Sequence, residues 1–139
     1  KQRQKNADMY TSLFVDRGLA TKEGEIEFSD AEKVLLPKAV YKSESLPRYH
    51  IYNQYVIRVE KRDELRDFLK EKEIGTEIYY PVPFHLQDCF AYIGNKKGDF
   101  PVAEFCAEKS LALPIYPELS HDQIEYVVDC IKEFIQNNE

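Results

Sequence analysis

The chain has 139 residues, 43% of them hydrophobic and 13% aromatic, which fits one domain with enough apolar side chains to bury a core. A formal net charge of -6 and a pI near 5.2 exclude a nucleic-acid or anionic-membrane surface, which would need clustered Lys and Arg. No apolar run approaches the roughly 20 residues of a membrane-spanning helix and no charged-then-apolar leader opens the chain, so a cytoplasmic protein is expected.

Residues 1–17 read as a helix, with Ala7, Tyr10, Leu13 and Phe14 on one face while Lys1, Arg3, Gln4 and Lys5 stay solvated. The helix opens without Met and without a cap, which suggests a chain cut from something longer. Gly18 is placed as its C-cap and Gly24 in a loop. Ser29-Asp30-Ala31-Glu32 has the spacing of a capping box, but Pro37 leaves room for only a short turn; the alternative is a strand at Val34-Leu35-Leu36. Lys38 to Arg48, with Ser43, Ser45 and Pro47, lacks periodicity, so 18–48 is expected to be a connector.

From His50 to Val59 the chain alternates as a strand does, with Ile51, Tyr55, Ile57 and Val59 on one face and His50, Tyr52, Gln54 and Arg58 on the other, which meets water or another domain. Arg62 to Glu73 is a helix with the stripe Leu65, Phe68 and Leu69, acids in its first turn and lysines in its last. Ile74, Thr76, Ile78 and Tyr80 then predict a second strand, parallel to the first or separated from it by one position. It stops where Pro81 and Pro83 fix φ and remove two N–H donors. Tyr79 to Gln87 is therefore a stiff loop carrying an imidazole, an amide and two phenols. Such a loop either holds a ligand or is a proline-rich connector with a structural histidine.

Gly94 to Gly98 is a flexible turn, and Asp99-Phe100-Pro101 predicts a helix capped by Asp99 that carries Val102, Phe105 and Cys106 inward. Leu111, Leu113 and Ile115 alternate with Ala112, Pro114 and Tyr116 in an extended segment that its prolines confine to an edge or a loop. Ser120 and Gln123 then form a capping box before Ile124, Val127, Val128, Ile131, Phe134 and Ile135, which repeat at helical spacing, with His121 at the surface. Cys89, Cys106 and Cys130 have no C-x-x-C spacing and are expected as buried free thiols. A metal site from His85, Cys89, Cys106 and His121 is set aside on its scattered spacing, and no metal is expected. The expected fold is α+β, a small sheet on 50–59 and 74–80 covered by helices at 62–73 and 120–136.

Five motifs occur in order: His50-Ile51-Tyr52-Asn53-Gln54-Tyr55-Val56-Ile57-Arg58, Arg62-Asp63-Glu64-Leu65, Tyr80-Pro81-Val82-Pro83-Phe84-His85-Leu86-Gln87, Phe100-Pro101-Val102-Ala103-Glu104, and Leu111 to Leu119. Together they resemble the C-terminal small domain of the DegT/DnrJ/StrS family of pyridoxal-phosphate sugar aminotransferases. The resemblance covers about residues 50–136. Asn6 to Phe14 resembles the helix before that domain, and 18–48 match poorly. It implies 1–17 as a helix leading from a missing N-terminal large domain, 18–48 as connector and 49–139 as the small domain of a fold-type-I aminotransferase, a homodimer when full length.

The implied reaction moves an amino group, usually from glutamate, to a nucleotide-linked keto-sugar of polysaccharide or amino-sugar biosynthesis. The cofactor would be pyridoxal phosphate, which needs a Schiff-base lysine and a phosphate cup. Ser29 to Lys33 has the bare Ser-x-x-x-Lys spacing of that lysine motif without its Gly-rich sequel, so Lys33 reads as a solvated helix-start residue. Neither a catalytic residue nor cofactor binding is expected in these residues. Pro83, His85 and Gln87 match the family's Pro-x-His-x-Gln loop, and the resemblance makes His85, Gln87 and Tyr80 the substrate-binding candidates. The competing reading is a stand-alone small-ligand or protein-interaction module with a βαβ core. An RNA-binding sheet is disfavoured by charge.

Overall fold

The computed structural model describes residues 1–44, 46 and 49–138; Ser45, Pro47 and Arg48 of the expected connector, and Glu139, lie outside the described residues. Its elements are α1 (Gln2–Asp16), β1 (Val34–Leu35), β2 (Tyr55–Val59), α2 (Arg62–Glu71), α3 (Pro101–Lys109), β3 (Ser110–Leu113) and α4 (His121–Asn137). The expected α+β class holds.

The sheet has the order β1-β2-β3 with both pairings antiparallel, in the register Val34 opposite Val59, Tyr55 opposite Leu113 and Ile57 opposite Leu111. Because side chains alternate across a strand, these six residues share one face, and they join α1, α2 and α4 in a single apolar cluster. Ile124, Val128 and Ile131 of α4 are fully buried there. Phe68 of α2 meets Phe134 of α4 at 5.6 Å between ring centres.

The strand expected over 74–80 is reduced to one bridge, in which Glu77 and Ala112 exchange backbone hydrogen bonds of 3.2 and 2.8 Å. Both β2 and Glu77 are antiparallel to β3, so they run parallel with one strand between them, the second of the two expected arrangements. Three local causes keep the bridge short. α2 ends on Glu73 at φ 60, where the Ile74 N–H turns back to the Leu69 carbonyl at 2.9 Å. The Ile78 N–H is taken by the Glu77 carboxylate at 2.9 Å. Pro81 and Pro83 follow and lack the N–H a ladder needs.

β2 likewise begins at Tyr55 rather than at His50. Tyr52 adopts φ 45, and His50 Nδ1 accepts its N–H at 2.9 Å, so a tight turn breaks the alternation. Ile51 and Tyr52 exchange their expected sides there, Tyr52 being 2% exposed and Ile51 68% exposed, while Tyr55, Ile57 and Val59 keep the expected buried face.

The Ser29–Glu32 stretch is a reverse turn rather than a capped helix start, with the Glu32 N–H bonded to the Ser29 carbonyl at 3.1 Å. The alternative strand is realised as β1, extended by a parallel bridge from Leu36 to Glu23. Glu32 is buried, and its Oε1 accepts the Thr21 N–H at 2.9 Å and the Thr21 hydroxyl. Lys33 thus stands at a turn-to-strand junction, partly buried and 4.0 Å from Asp30, not at a helix start.

α1 carries no side-chain cap, and Gly18 at φ 71 ends it, with the Leu19 N–H reaching the Phe14 carbonyl at 3.0 Å. The helix is fixed through tertiary bonds. Asn6 Nδ2 donates to the Tyr116 carbonyl at 2.8 Å, and the Tyr10 hydroxyl donates to the Pro114 carbonyl at 3.0 Å. Tyr10 also stacks on Tyr55 at 5.0 Å, and burial raises both phenols well above the usual tyrosine range.

α3 starts at Pro101 with Phe100 as N-cap, while Asp99 instead accepts the Lys96 N–H at 2.9 Å. Its buried residue is Ala107. Phe105 and Cys106 are half-buried, and Val102, expected inward, is 75% exposed. Of the three free thiols only Cys130 is buried; Cys106 is half-buried and Cys89 exposed, because the loop and helix that carry them lie outside the main core. Among the described residues no helix is long and apolar enough to cross a membrane.

Arg62, at the start of α2, is buried and closes the other end of α3: its Nη1 donates to the carbonyls of Ala107 at 3.0 Å and Ser110 at 2.9 Å. Replacing Arg62 with Met keeps much of the side-chain bulk but strands both carbonyls. Hydrogen bonds to charged groups contribute about 1.5–3 kcal/mol, so urea unfolding of Arg62→Met should show a loss of that order.

Candidate functional site

After Glu77 the chain leaves the sheet, and Pro81 and Pro83 keep it extended until a 3-10 turn at Phe84–Leu86. A second 3-10 turn, Asp88–Ile93, ends at Gly94 with φ 83. The loop lies against α3, and a groove of about 370 Å³ runs between them, lined by Tyr80, Phe84 and Gln87 on one side and Ala103 and Cys106 on the other.

The three residues singled out from the sequence divide into two groups. Tyr80 and Gln87 both line the groove; Tyr80 is 73% exposed, and Gln87 Nε2 donates to the Val82 carbonyl at 3.1 Å, bracing the loop from within. The His85 side chain is only 7% exposed and turns toward α3. Its ring lies 4.8 Å from that of Phe100, and its Nε2 is 2.9 Å from Glu104 Oε1. His85 Nδ1 has no hydrogen-bond partner among the described residues.

Glu104 is the residue that sequence reasoning missed. The same Oε1 that meets His85 accepts the Gly98 N–H at 2.8 Å and the Phe100 N–H at 3.4 Å. The only sequence signal was its place four residues after Phe100 at a proline-initiated helix start, where an acid can satisfy orphan N–H groups. The Gly98 N–H first, and then His85, hold the carboxyl below the ordinary glutamate range.

Among the described residues no group of three or more His, Cys, Asp and Glu side chains could hold a metal ion. His121 is exposed, with Nδ1 3.7 Å from Asp122 and 3.9 Å from Glu125. The surface around the loop is apolar: Tyr80, Phe84, Tyr92 and Val102 are each more than 70% exposed.

The sign of the pH dependence follows from the lowered Glu104 value. A carboxyl with a depressed folded-state pKa stabilises the folded loop above the unfolded value of about 4.3, and that stabilisation is lost as pH falls through the folded value. The Gly98 amide proton resonance should therefore titrate with a midpoint below that of an unperturbed glutamate, and the titration should vanish in Glu104→Gln.

The sequence matches the model of the DegT/DnrJ/EryC1/StrS aminotransferase family over residues 1–132. It is 43% identical over 137 residues to the pleiotropic regulatory protein of Geobacillus stearothermophilus, covering 99% of this chain and 32% of that protein. It is 37% identical over 86 residues to the dTDP-3-amino-3,4,6-trideoxy-alpha-D-glucose transaminase of Streptomyces venezuelae, covering 62% of this chain and 23% of that one. The crystal structure of S. venezuelae DesV in complex with a ketimine intermediate superimposes with a TM-score of 0.73 at 32% identity, over 96% of this chain and 31% of that chain. The chain thus spans about a third or less of the length of the curated relatives it matches. With nearly every residue inside the matched span, the chain belongs to the DegT/DnrJ/EryC1/StrS aminotransferase family.

Proposed function

We propose that these residues form the C-terminal small domain of a cytoplasmic, homodimeric, pyridoxal-phosphate-dependent aminotransferase that transfers an amino group from glutamate to a nucleotide-linked keto-sugar. The observation that carries this reading is the family match over residues 1–132, joined to relatives named as transaminases of dTDP-linked amino sugars and of a UDP-linked glucosamine. The residues present do not themselves fit pyridoxal phosphate. Lys33, at the Ser-x-x-x-Lys spacing, and Lys61 border a groove with Asp30, Glu32 and Glu60, whose carboxylates outnumber the two ammonium groups and disfavour a phosphate. The groups that hold the cofactor are assigned to the missing large domain.

What these residues contribute is position. Tyr80, Phe84, Tyr92 and Val102 are large apolar side chains left exposed on the loop and on α3, fit to be covered by the large domain or the second subunit. The groove beside Tyr80 and Gln87 then opens toward the sugar nucleotide, with His85 of the same loop turned against α3.

The whole protein, incubated with glutamate and a panel of dTDP- and UDP-linked keto-sugars, should form an amino sugar and 2-oxoglutarate, read by mass spectrometry. Cofactor binding without product from any keto-sugar would refute the substrate class. In the same enzyme, His85→Ala should raise the KM for the sugar nucleotide about two- to tenfold, the equivalent of a neutral hydrogen bond of about 0.5–1.5 kcal/mol. The bond to Glu104 makes a modest fall in melting temperature expected as well, so KM is the deciding quantity. An unchanged KM with lowered stability would reduce His85 to a structural role.

A further inference from the structure

No described residue from 75 to 106 is buried, and none from 79 to 106 packs against the main apolar cluster. A stretch so long without core side chains gains little from apolar burial, so other contacts must give it one shape. It is joined to the rest of the fold at its two ends. The Glu77–Ala112 bridge anchors the first. At the second, Arg62 holds the carbonyls of Ala107 and Ser110, and Phe105 meets Phe28 at 6.0 Å between ring centres.

Between those ends the stretch is held by contacts with itself, and three of them converge on one atom. Glu104 Oε1 accepts the Gly98 N–H at 2.8 Å and the Phe100 N–H at 3.4 Å and lies 2.9 Å from His85 Nε2. One carboxylate oxygen thus ties the proline loop, the glycine turn and the start of α3 together. The His85 ring beside that of Phe100, at 4.8 Å, lies on the same seam. The groove of about 370 Å³ has the loop as one wall and α3 as the other, so its shape depends on this junction.

We propose that residues 79–106 are a latched strap, in which the loop and the start of α3 open and close as one cooperative unit while the sheet, α1, α2 and α4 stay folded, and Glu104 is the latch. Opening the strap uncovers no core side chain, so its cost falls below that of unfolding the sheet. The bonds within the loop are local, from the Gln87 N–H to the Phe84 carbonyl at 3.1 Å and from the Phe90 N–H to the Gln87 carbonyl at 2.9 Å. Local turns of this kind form a lasting structure only when something holds them against a neighbour. Closing the latch gives the groove both of its walls, and releasing it parts them. This proposal concerns the chain's own motion and does not rest on the substrate proposed above.

The test is native-state hydrogen exchange on the whole protein at rising, sub-denaturing urea, read by mass spectrometry on peptides covering 84–94, 98–106, β2 and α4. In the unaltered protein the 84–94 and 98–106 peptides should share one opening equilibrium, and both should open before β2 and α4. Glu104→Ala should speed exchange in both peptides about ten- to a hundredfold, including the loop amides that Glu104 does not bond. Val102→Ala, in the same turn of α3 but 75% exposed, should change neither. If Glu104→Ala speeds only the 98–106 peptide, Glu104 is a local helix cap and the latch is overturned. If the two peptides open separately, or together with β2 and α4, the strap is overturned; the second outcome is expected where a large domain or second subunit seated on it joins it to a core. That comparison needs no variant, so it decides the proposal even where Glu104→Ala fails to fold.

Discussion

Two side chains of α1 fix a stretch of backbone that prolines keep from pairing as a strand. Pro114 and Pro117 have no N–H and end β3 as a ladder, so the carbonyls between β3 and α4 have no strand to bond to. Asn6 and Tyr10 reach the carbonyls of Tyr116 and Pro114 from 110 and 104 residues earlier in the chain. α1 has no cap of its own, and these bonds, the Tyr10–Tyr55 stack and the packing on α4 define its place. Ala7, Tyr10, Leu13 and Phe14 are buried in the main cluster, so α1 is integral to this core. Outside the core, Arg17 of the same helical stretch pairs with Glu125 and Asp129 of α4.

The same substitution of side chains for lost backbone pairing recurs around the candidate site. Where Pro81 and Pro83 stop the chain from continuing along β3, Gln87 bonds back to Val82, and His85 ties the loop to α3 through Glu104. At the far end of α3, Arg62 takes two carbonyls. The peripheral helix is thereby pinned near both ends, while Val102 in its first turn and the groove beside Ala103 and Cys106 stay open.

The sequence was most legible where one period ran without interruption. α4 has a reciprocal capping box and an unbroken apolar stripe, and it forms over nearly the expected residues; α2 differs only in its last turn. Legibility failed where a local hydrogen bond outcompeted the period. The His50–Tyr52 turn, the Glu73 reversal and the Ser29–Glu32 turn each replace an expected strand or helix start with a bend that no pattern of apolar residues records. At the site, the extended loop was readable from Pro81 and Pro83. The inward turn of His85 was not, because its cause, Glu104, is 19 residues away and looked like an ordinary helix-start acid.

One topological fact bears on how the molecule comes into being. β3, made from residues 110–113, sits between β2 and the Glu77 bridge, both of which precede it in the chain. Residues before 110 can pair β1 with β2 and wind α2, but the place between Tyr55–Val59 and Glu77 is filled only once Leu111 has been made. Long-range pairing of this kind is slow because loop closure precedes any stabilising contact. A nascent chain halted before residue 110 would leave unpaired the edge of β2 that β3 covers, so completion of the sheet waits on the residues that follow α3.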